Sequence, residues 1–116
     1  MKDKKQTPYY VAEDLKKFGN VSEAVPELGE KFFDWYGSVF KEGALSAREK
    51  SIIALSVSIT LQCPYCIEAY TKDCIKRGVT EEQMTEAMHV ASTMRAGVSM
   101  VHGVQMKNFI DKLVMG

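Results

Sequence analysis

Apolar residues recur at steps of three and four positions along most of the chain, which is the periodicity of helices that bury one face. The clearest segment begins near Pro26 and runs through Phe40, with Gly43 as its stop. Its apolar positions are Leu28, Phe32, Phe33, Trp35, Tyr36, Val39 and Phe40. The pattern predicts a helix whose aromatic stripe lies in the core or in a contact between subunits.

A capping box marks the start of the next helix. Ser46 is the predicted cap, and Glu49, three residues later, reaches back to the serine N–H. The following segment, to about Leu61, is apolar on nearly all sides, so we expect a central, buried helix. The alternation after Ser56 also fits a strand. We favour the helix, because the capping box begins one and the chain has no partner strand.

The second half of the chain carries two more helix starts. Pro64 suits the first position of a helix, because its missing N–H is not needed there. A second capping box begins at Thr80, and Ala96-Gly97 is expected to break the helix that it opens. The predicted helices of this half span residues 64–77, 81–95 and 98–114.

No segment carries a strand or linker pattern, so the sequence predicts an all-α fold. Residues 9–18 are expected to form a short helix that ends at Gly19-Asn20, and residues 1–7 a disordered tail. The 116 residues suffice for one core. We therefore expect a single all-α domain over residues 1–116, a bundle of five to six helices.

Charge and composition limit the partners and the cellular location that we expect for this protein. The 15 basic and 15 acidic residues cancel, so no electrostatic footprint indicates nucleic acid or an anionic membrane as a partner. No apolar signal segment follows the N-terminal lysines, and no run is long enough to span a bilayer. We therefore expect a cytoplasmic protein, in which a C-x-x-C pair is redox-active or metal-binding more often than a static disulfide.

The central candidate for chemistry is the pair Cys63 and Cys66, separated by Pro64-Tyr65. Cys63 is the predicted helix cap, which places Cys66 in the first turn, where backbone N–H groups and the helix dipole favour a thiolate. We therefore expect the pKa of Cys66 to lie below the free value of about 8.5. By this argument Cys66 is the first of the two thiols to react. If only Cys63 were open to solvent, Cys63 would react first instead. Cys63 lies within reach to close a disulfide.

Other cysteine chemistry fits less well. Zinc prefers four ligands, and the remaining candidates are Cys74, His89 and His102. Cys74 is too far from Cys63 to join it, roughly 16 Å along one helix. A thioredoxin-like motif needs a βαβ pattern, which is absent here. We expect no metal site and no cofactor.

Four other side chains are candidates for supporting the thiols. Tyr70 lies four residues after Cys66 on the same helix face, and is either a hydrogen-bond donor or an ordinary interface aromatic. His102 is either a proton relay or an ordinary core or interface residue on an apolar helix face. Glu68 is a base or an acid suited to the helix dipole, and Glu49 a base or simply the capping acid.

Two segments carry a resemblance to a known family. The run 45–50, followed by the small and apolar helix and then by Cys63-Pro-Tyr-Cys66-Ile-Glu-Ala, resembles the carboxymuconolactone decarboxylase superfamily and, within it, the alkyl hydroperoxidase D-like branch. Residues 62–66 with Tyr70, and residues 101–105, are also similar to a peroxidase-like subgroup tied to arsenosugar gene clusters. The resemblance implies an all-helical fold, trimers or hexamers, and an active site near subunit contacts.

The resemblance also implies a set of site residues, which this chain matches only in part. The peroxidase branch has a glutamate twelve residues before the first cysteine and a histidine four residues after the second. Those positions hold Ser51 and Tyr70 here. Either Glu49, Glu68 or His102 replaces the usual relay, or the helix N-terminus and Tyr70 suffice, or the activity differs.

Three functions remain as hypotheses. The first is a thiol-dependent peroxidase or disulfide oxidoreductase that reduces a small-molecule hydroperoxide and is restored by an external dithiol. The second is lactone decarboxylation, which needs no thiols. The third is a non-catalytic oligomeric module that senses redox state or binds a soft metal or arsenic.

Overall fold

The structure is a computed structural model that describes residues 8–115. Four α-helices carry the fold: α1 (Pro26–Val39), α2 (Ala47–Leu61), α3 (Pro64–Lys76) and α4 (Glu81–Ile110). A 3-10 helix (Ala12–Asn20) precedes them and one π-helical turn (Asp111–Met115) follows. The predicted all-α fold is confirmed, and the described part of the chain holds no strand. The expected disorder of residues 1–7 concerns residues outside that part.

Helices α2 and α3 form a tight hairpin, and its turn sets the cysteine pair. Gln62 ends α2 in the left-handed conformation, with φ of 60°. The Cys63 N–H then donates to the Ser58 carbonyl over 3.1 Å, which satisfies a carbonyl at the helix end. Pro64 begins α3 immediately afterwards, as its fixed φ favours. The chain therefore reverses at the cysteines, and α3 runs back along α2.

The core lies between α2, α3 and the first half of α4. Leu55, Cys74 and Val79 form its buried centre, and Ile52, Ile59, Tyr70 and Met84 pack around them. Both predicted capping boxes are present, at Ser46 and at Thr80. Helix α2 contacts both α3 and α4, so its central position is confirmed. The prediction that α2 is buried on all sides is wrong, because Ile53 and Val57 are about half exposed.

Two predicted helix boundaries are wrong. The first is the break at Ala96-Gly97: α4 continues without interruption through both residues. An isolated glycine costs a helix only about 1 kcal/mol relative to alanine, which good helix-forming neighbours offset. The second is the short N-terminal helix, which is a 3-10 helix from Ala12 to Asn20 rather than a helix from Tyr9 to Phe18.

The second half of α4 extends away from the other helices. The radius of gyration is 20.3 Å, against about 13 Å for a compact domain of this length. Large apolar side chains are exposed along this half and the π-helical turn that follows it: Val98, Met100, Val101, Val104, Met106, Phe109, Ile110, Leu113 and Val114. None of the described helices is both long enough and apolar enough to cross a membrane.

Candidate functional site: a dithiol beside an apolar cavity

The Cys63 side chain occupies the position of a helix cap. Its Sγ accepts a hydrogen bond from the backbone N–H of Cys66 over 3.3 Å, as a serine cap would accept one through oxygen. Both cysteines are half-buried and free. The N–H donor and the positive end of the α3 dipole therefore meet Cys63 Sγ, where they stabilise negative charge on that sulfur.

The expectation of a lowered pKa at Cys66 is wrong. Burial raises the pKa of the Cys66 thiol to about 11, and the adjacent Cys63 sulfur adds to the rise. The Ser58 hydroxyl and the Cys66 N–H oppose the rise only in part. The sequence argument placed Cys66 correctly in the first turn. It did not foresee that the N–H of that turn would donate to the sulfur of the cap.

An apolar cavity of about 430 Å³ lies beside the two thiols. Helix α3 supplies Tyr65, Cys66, Ala69 and Tyr70 to its wall, with Cys63 at the helix cap. Across the cavity stand Tyr36 and a set of residues from the segment before α1: Asp14, Leu15, Lys17, Phe18 and Val21. A small molecule in this cavity would contact both cysteines and a mainly apolar wall.

Tyr70 belongs to a pair of phenols in the same cavity wall. Its hydroxyl hydrogen-bonds to the hydroxyl of Tyr36, on α1. Its ring stacks on Phe40, with ring centroids 5.3 Å apart. Burial raises the pKa of Tyr70, and the hydrogen bond with Tyr36 raises it further, so the phenol stays protonated near neutral pH. Tyr70 can therefore act as a donor but not as a base.

Tyr36 is a site residue that sequence reasoning missed. Its position in the aromatic stripe of α1 predicted only core or interface packing. Nothing in the spacing relates α1 to the C-x-x-C segment, because Tyr36 and Tyr70 are 34 residues apart along the chain.

Glu68 lies on α3 but is engaged away from the cavity. Its carboxylate accepts a hydrogen bond from Tyr10 Oη over 2.9 Å and pairs with Lys72 Nζ at 2.7 Å. The hydrogen bond from Lys72, followed by the one from Tyr10, lowers the pKa of Glu68. A carboxylate held in this way is a poor base at neutral pH, and Glu68 is absent from the cavity wall.

The chain does not bring Glu49 or His102 to its own cysteines. Glu49 accepts a hydrogen bond from the Ser46 N–H as the capping acid, at the end of α2 opposite the cysteines. Thirteen residues of helix put it about 20 Å away along the axis. His102 is exposed on the extended half of α4. Of the six candidates, the structure thus groups Cys63, Cys66 and Tyr70.

The position at which the resemblance implies a glutamate holds a polar cluster. Ser51 is fully buried and donates to Asp73 Oδ2 over 2.7 Å, while its oxygen lies 3.4 Å from Cys74 Sγ. Burial raises the pKa of Asp73, but hydrogen bonds from Arg77 and Ser51 outweigh it and lower the pKa overall. A carboxylate from α3 thus lies beside Ser51, the position on α2 at which the resemblance implies a glutamate.

A metal has no evident place in the described part of the chain. No three histidine, cysteine, aspartate or glutamate side chains among those residues lie close enough together to hold an ion. Cys74, which is 0% exposed, lies in the core.

The helical fold agrees with the family and the solved structures that this chain is similar to. The model of the carboxymuconolactone decarboxylase family matches residues 26–106, from the start of α1 to the extended half of α4. The chain therefore belongs to the carboxymuconolactone decarboxylase family.

Relatives and solved structures support this assignment. A Paracoccus denitrificans protein named "Uncharacterized protein 4 in cox locus" is 37% identical over 95 residues, 82% of this chain and 86% of the relative. A crystal structure from Methanobacterium thermoautotrophicum has a TM-score of 0.70 at 32% identity, covering 72% of this chain and 94% of its own. A carboxymuconolactone decarboxylase family protein from Legionella pneumophila has a TM-score of 0.65 at 27% identity, covering 72% and 75%.

Proposed function

We propose that the protein is a thiol-dependent peroxidase, a disulfide oxidoreductase that reduces a hydroperoxide with Cys63 and Cys66. The observation that carries the proposal is the placement of both free thiols, half-buried, in the wall of one apolar cavity of about 430 Å³. A cavity of this size holds a small organic molecule. No corresponding observation favours lactone decarboxylation, which needs no thiols.

The hydrogen bonding at the helix start assigns the two cysteines different roles in this proposal. Cys63 attacks first, because its sulfur receives the N–H of Cys66 and the helix dipole. Cys66 stays protonated at neutral pH, since burial raises the pKa of that thiol to about 11. A protonated thiol next to the attacking sulfur supplies the proton and the second sulfur for the following step.

The chemistry balances with one peroxide and one dithiol per cycle. The Cys63 thiolate takes the outer oxygen of the hydroperoxide and becomes a sulfenic acid, while the O–O bond breaks and the alkoxide leaves. A proton converts the alkoxide to an alcohol. Cys66 then attacks the Cys63 sulfur, a disulfide forms and water leaves. An external dithiol reduces the disulfide by exchange and is itself oxidised.

The phenol pair fits the role of proton donor to the departing oxygen. Tyr70 lies in the cavity wall with Cys66, and its hydroxyl is held by Tyr36. Because the pKa of Tyr70 is raised, the proton is present when charge develops on the alkoxide. Within one chain, this pair takes the place of the histidine that the resemblance implies.

We also propose that the working form is a homo-oligomer, a trimer or hexamer. Its support is the exposed apolar surface of the extended half of α4, together with Trp35, which is 66% exposed. So many exposed large apolar side chains are unusual for a monomer. Light scattering of the purified protein checks the number of chains.

The first experiment follows the mass of the reduced protein after one equivalent of hydroperoxide, with peptide mapping. We expect rapid loss of two hydrogen atoms, mapped to Cys63 and Cys66. In the Cys63→Ser variant, Cys66 should react with iodoacetamide at neutral pH more slowly than free cysteine, because its pKa is raised. If the wild-type thiols oxidise no faster than free cysteine, the peroxidase proposal is wrong. Arsenite binding would then be measured.

A further inference from the structure

The segment that precedes α1 is attached to the cysteine pair through Tyr65. We call residues 8–25 the N-terminal arm. The Tyr65 hydroxyl accepts a hydrogen bond from the Val11 N–H over 3.1 Å and donates to the Tyr9 carbonyl over 3.2 Å. The rings of Tyr10 and Tyr65 meet edge to face, with centroids 4.7 Å apart. Tyr65, one of the two residues between the cysteines, thus fixes the backbone of the arm.

A second attachment lies one turn further along α3. The Tyr10 hydroxyl donates to Glu68 over 2.9 Å, and Lys72 holds the same carboxylate from the other side. These contacts give Glu68 a structural role, in which it holds the arm, rather than a catalytic one. Two tyrosines and one carboxylate therefore hold the arm against the helix that begins with the dithiol.

The arm forms one side of the cavity but lies outside the region that defines the family. The family model begins to match at Pro26, the first residue of α1. Five of the cavity residues nevertheless come from the arm: Asp14, Leu15, Lys17, Phe18 and Val21. Without the arm, the cysteine pair would face solvent on this side. The arm therefore adds an apolar wall on one side of the dithiol.

We propose that the arm, held by Tyr65, makes the dithiol selective for neutral, apolar organic hydroperoxides over hydrogen peroxide. The proposal rests on the peroxidase function proposed above and assigns Leu15, Phe18 and Tyr65 as specificity-determining residues. Tyr65 acts by positioning the arm.

The chemistry of the wall gives the direction of this selectivity. Leu15 and Phe18 offer apolar surface that a hydrocarbon group can bury, whereas hydrogen peroxide has no such group and gains nothing from it. The two charged arm residues of the wall pair with each other, Lys17 Nζ lying 3.0 Å from Asp14 Oδ1. Their charges cancel, so the wall provides no net charge to hold an ionised substrate.

The test compares two oxidants on the reduced protein. The second-order rate of disulfide formation is measured with cumene hydroperoxide and with hydrogen peroxide by acid quench and mass analysis. In Phe18→Ala and Leu15→Ala we expect the rate with cumene hydroperoxide to fall about tenfold, while the rate with hydrogen peroxide stays within about twofold. Leu28→Ala is the matched control, since Leu28 is exposed on α1 and absent from the cavity.

A milder variant separates positioning from packing. Tyr65→Phe keeps the ring and removes the hydroxyl that binds the arm at both Val11 and Tyr9. We expect the ratio of the two rates to shift in the same direction as in Phe18→Ala, with an unchanged melting temperature of the helical core. Tyr65→Phe with the wild-type ratio would show that Tyr65 does not position the arm.

The outcomes distinguish this inference from the proposed function. If neither oxidant forms the disulfide in the wild type, the peroxidase function and the selectivity both fall. If both oxidants form it and the variants keep the wild-type ratio, only the role of the arm is overturned. A separate binding measurement uses the unreactive product alcohol, 2-phenyl-2-propanol, titrated by NMR. Weaker binding in Phe18→Ala is expected, and equal binding would contradict the assigned pocket.

Discussion

The two ends of the α2–α3 hairpin carry the same kinds of side chain in opposite arrangements. At one end, Ser51, Asp73 and Cys74 form a closed cluster, in which no buried side-chain oxygen or nitrogen lacks a hydrogen-bond partner. At the other end, Cys63 and Cys66 are half-buried and line a cavity. Each end thus has cysteine sulfur near a serine hydroxyl, but only one of them is open to a small molecule.

The difference shows which cysteines can do chemistry. Cys74 is fully buried, so no peroxide reaches it. Cys63 receives an N–H at a helix start and opens on the cavity. We therefore expect the reactivity of each thiol to follow its access to solvent and its local hydrogen bonding. Glu68 is the acidic residue nearest the thiols in sequence. Its contacts argue against a role as their base, because its carboxylate is already hydrogen-bonded to Tyr10 and paired with Lys72.

The strongest contrast between the two ends is in turnover. We expect Cys63→Ser and Cys66→Ser each to abolish catalytic peroxide consumption, because the disulfide needs both sulfurs. Cys66→Ser should still consume a single equivalent of peroxide, since Cys63 can form the sulfenic acid but cannot proceed. Peroxide loss in the presence of excess dithiol measures turnover, and dimedone labelling detects the trapped sulfenic acid.

Cys74→Ser is the matched control for this experiment. It makes the same chemical change at the closed end and should keep turnover near the wild-type rate, because Ser51 can still hydrogen-bond the new hydroxyl. Circular dichroism verifies that all three variants keep their helices. Equal loss of turnover in Cys74→Ser would contradict the distinction between the ends, and full turnover in either of the other two would contradict the mechanism.

A smaller effect is expected at the phenol pair. Tyr70→Phe removes the hydroxyl that Tyr36 holds, while the ring can still stack on Phe40. We expect the rate of disulfide formation to fall by about tenfold to a hundredfold if the phenol donates the proton to the alkoxide. Thermal stability should change little. The rate is measured by stopped flow on the reduced protein. An unchanged rate would show that Tyr70 only packs in the cavity wall and does not donate the proton.

The smallest expected effect concerns stability at the closed end. Asp73→Asn weakens the hydrogen bonds to Ser51 and Arg77 and should lower the free energy of unfolding by about 1 kcal/mol, a value reduced by partial exposure. The folded state lowers the pKa of Asp73, so its stabilisation is present above the unfolded value of about 3.9. It is lost as pH falls through the lower, folded value.

Urea unfolding from pH 7 to pH 2 measures this dependence. The difference between wild type and Asp73→Asn should be largest at neutral pH and shrink in acid. Disulfide formation by hydroperoxide should stay near the wild-type rate, since Asp73 is not in the cavity wall. A constant difference at all pH values would show that the ionised carboxylate is not what stabilises this end.

Local signals in the sequence predicted most helix starts. The capping boxes at Ser46 and Thr80 and the proline at position 64 each begin a helix where expected. Such signals act through backbone groups a few residues away, so the sequence shows them directly. The break at Gly97 failed because a helix tolerates one glycine when its neighbours continue the hydrogen bonding.

The sequence by itself determined the all-α fold, the family and the pair Cys63 and Cys66 at a helix start, because helical periodicity, caps and C-x-x-C spacing are local. Only the tertiary structure decided what surrounds the pair. The partnership of Tyr36 with Tyr70, and the arm held by Tyr65, join residues 34 and 54 to 56 positions apart along the chain. Burial, which raises the pKa of Cys66, likewise depends on packing that no local pattern encodes.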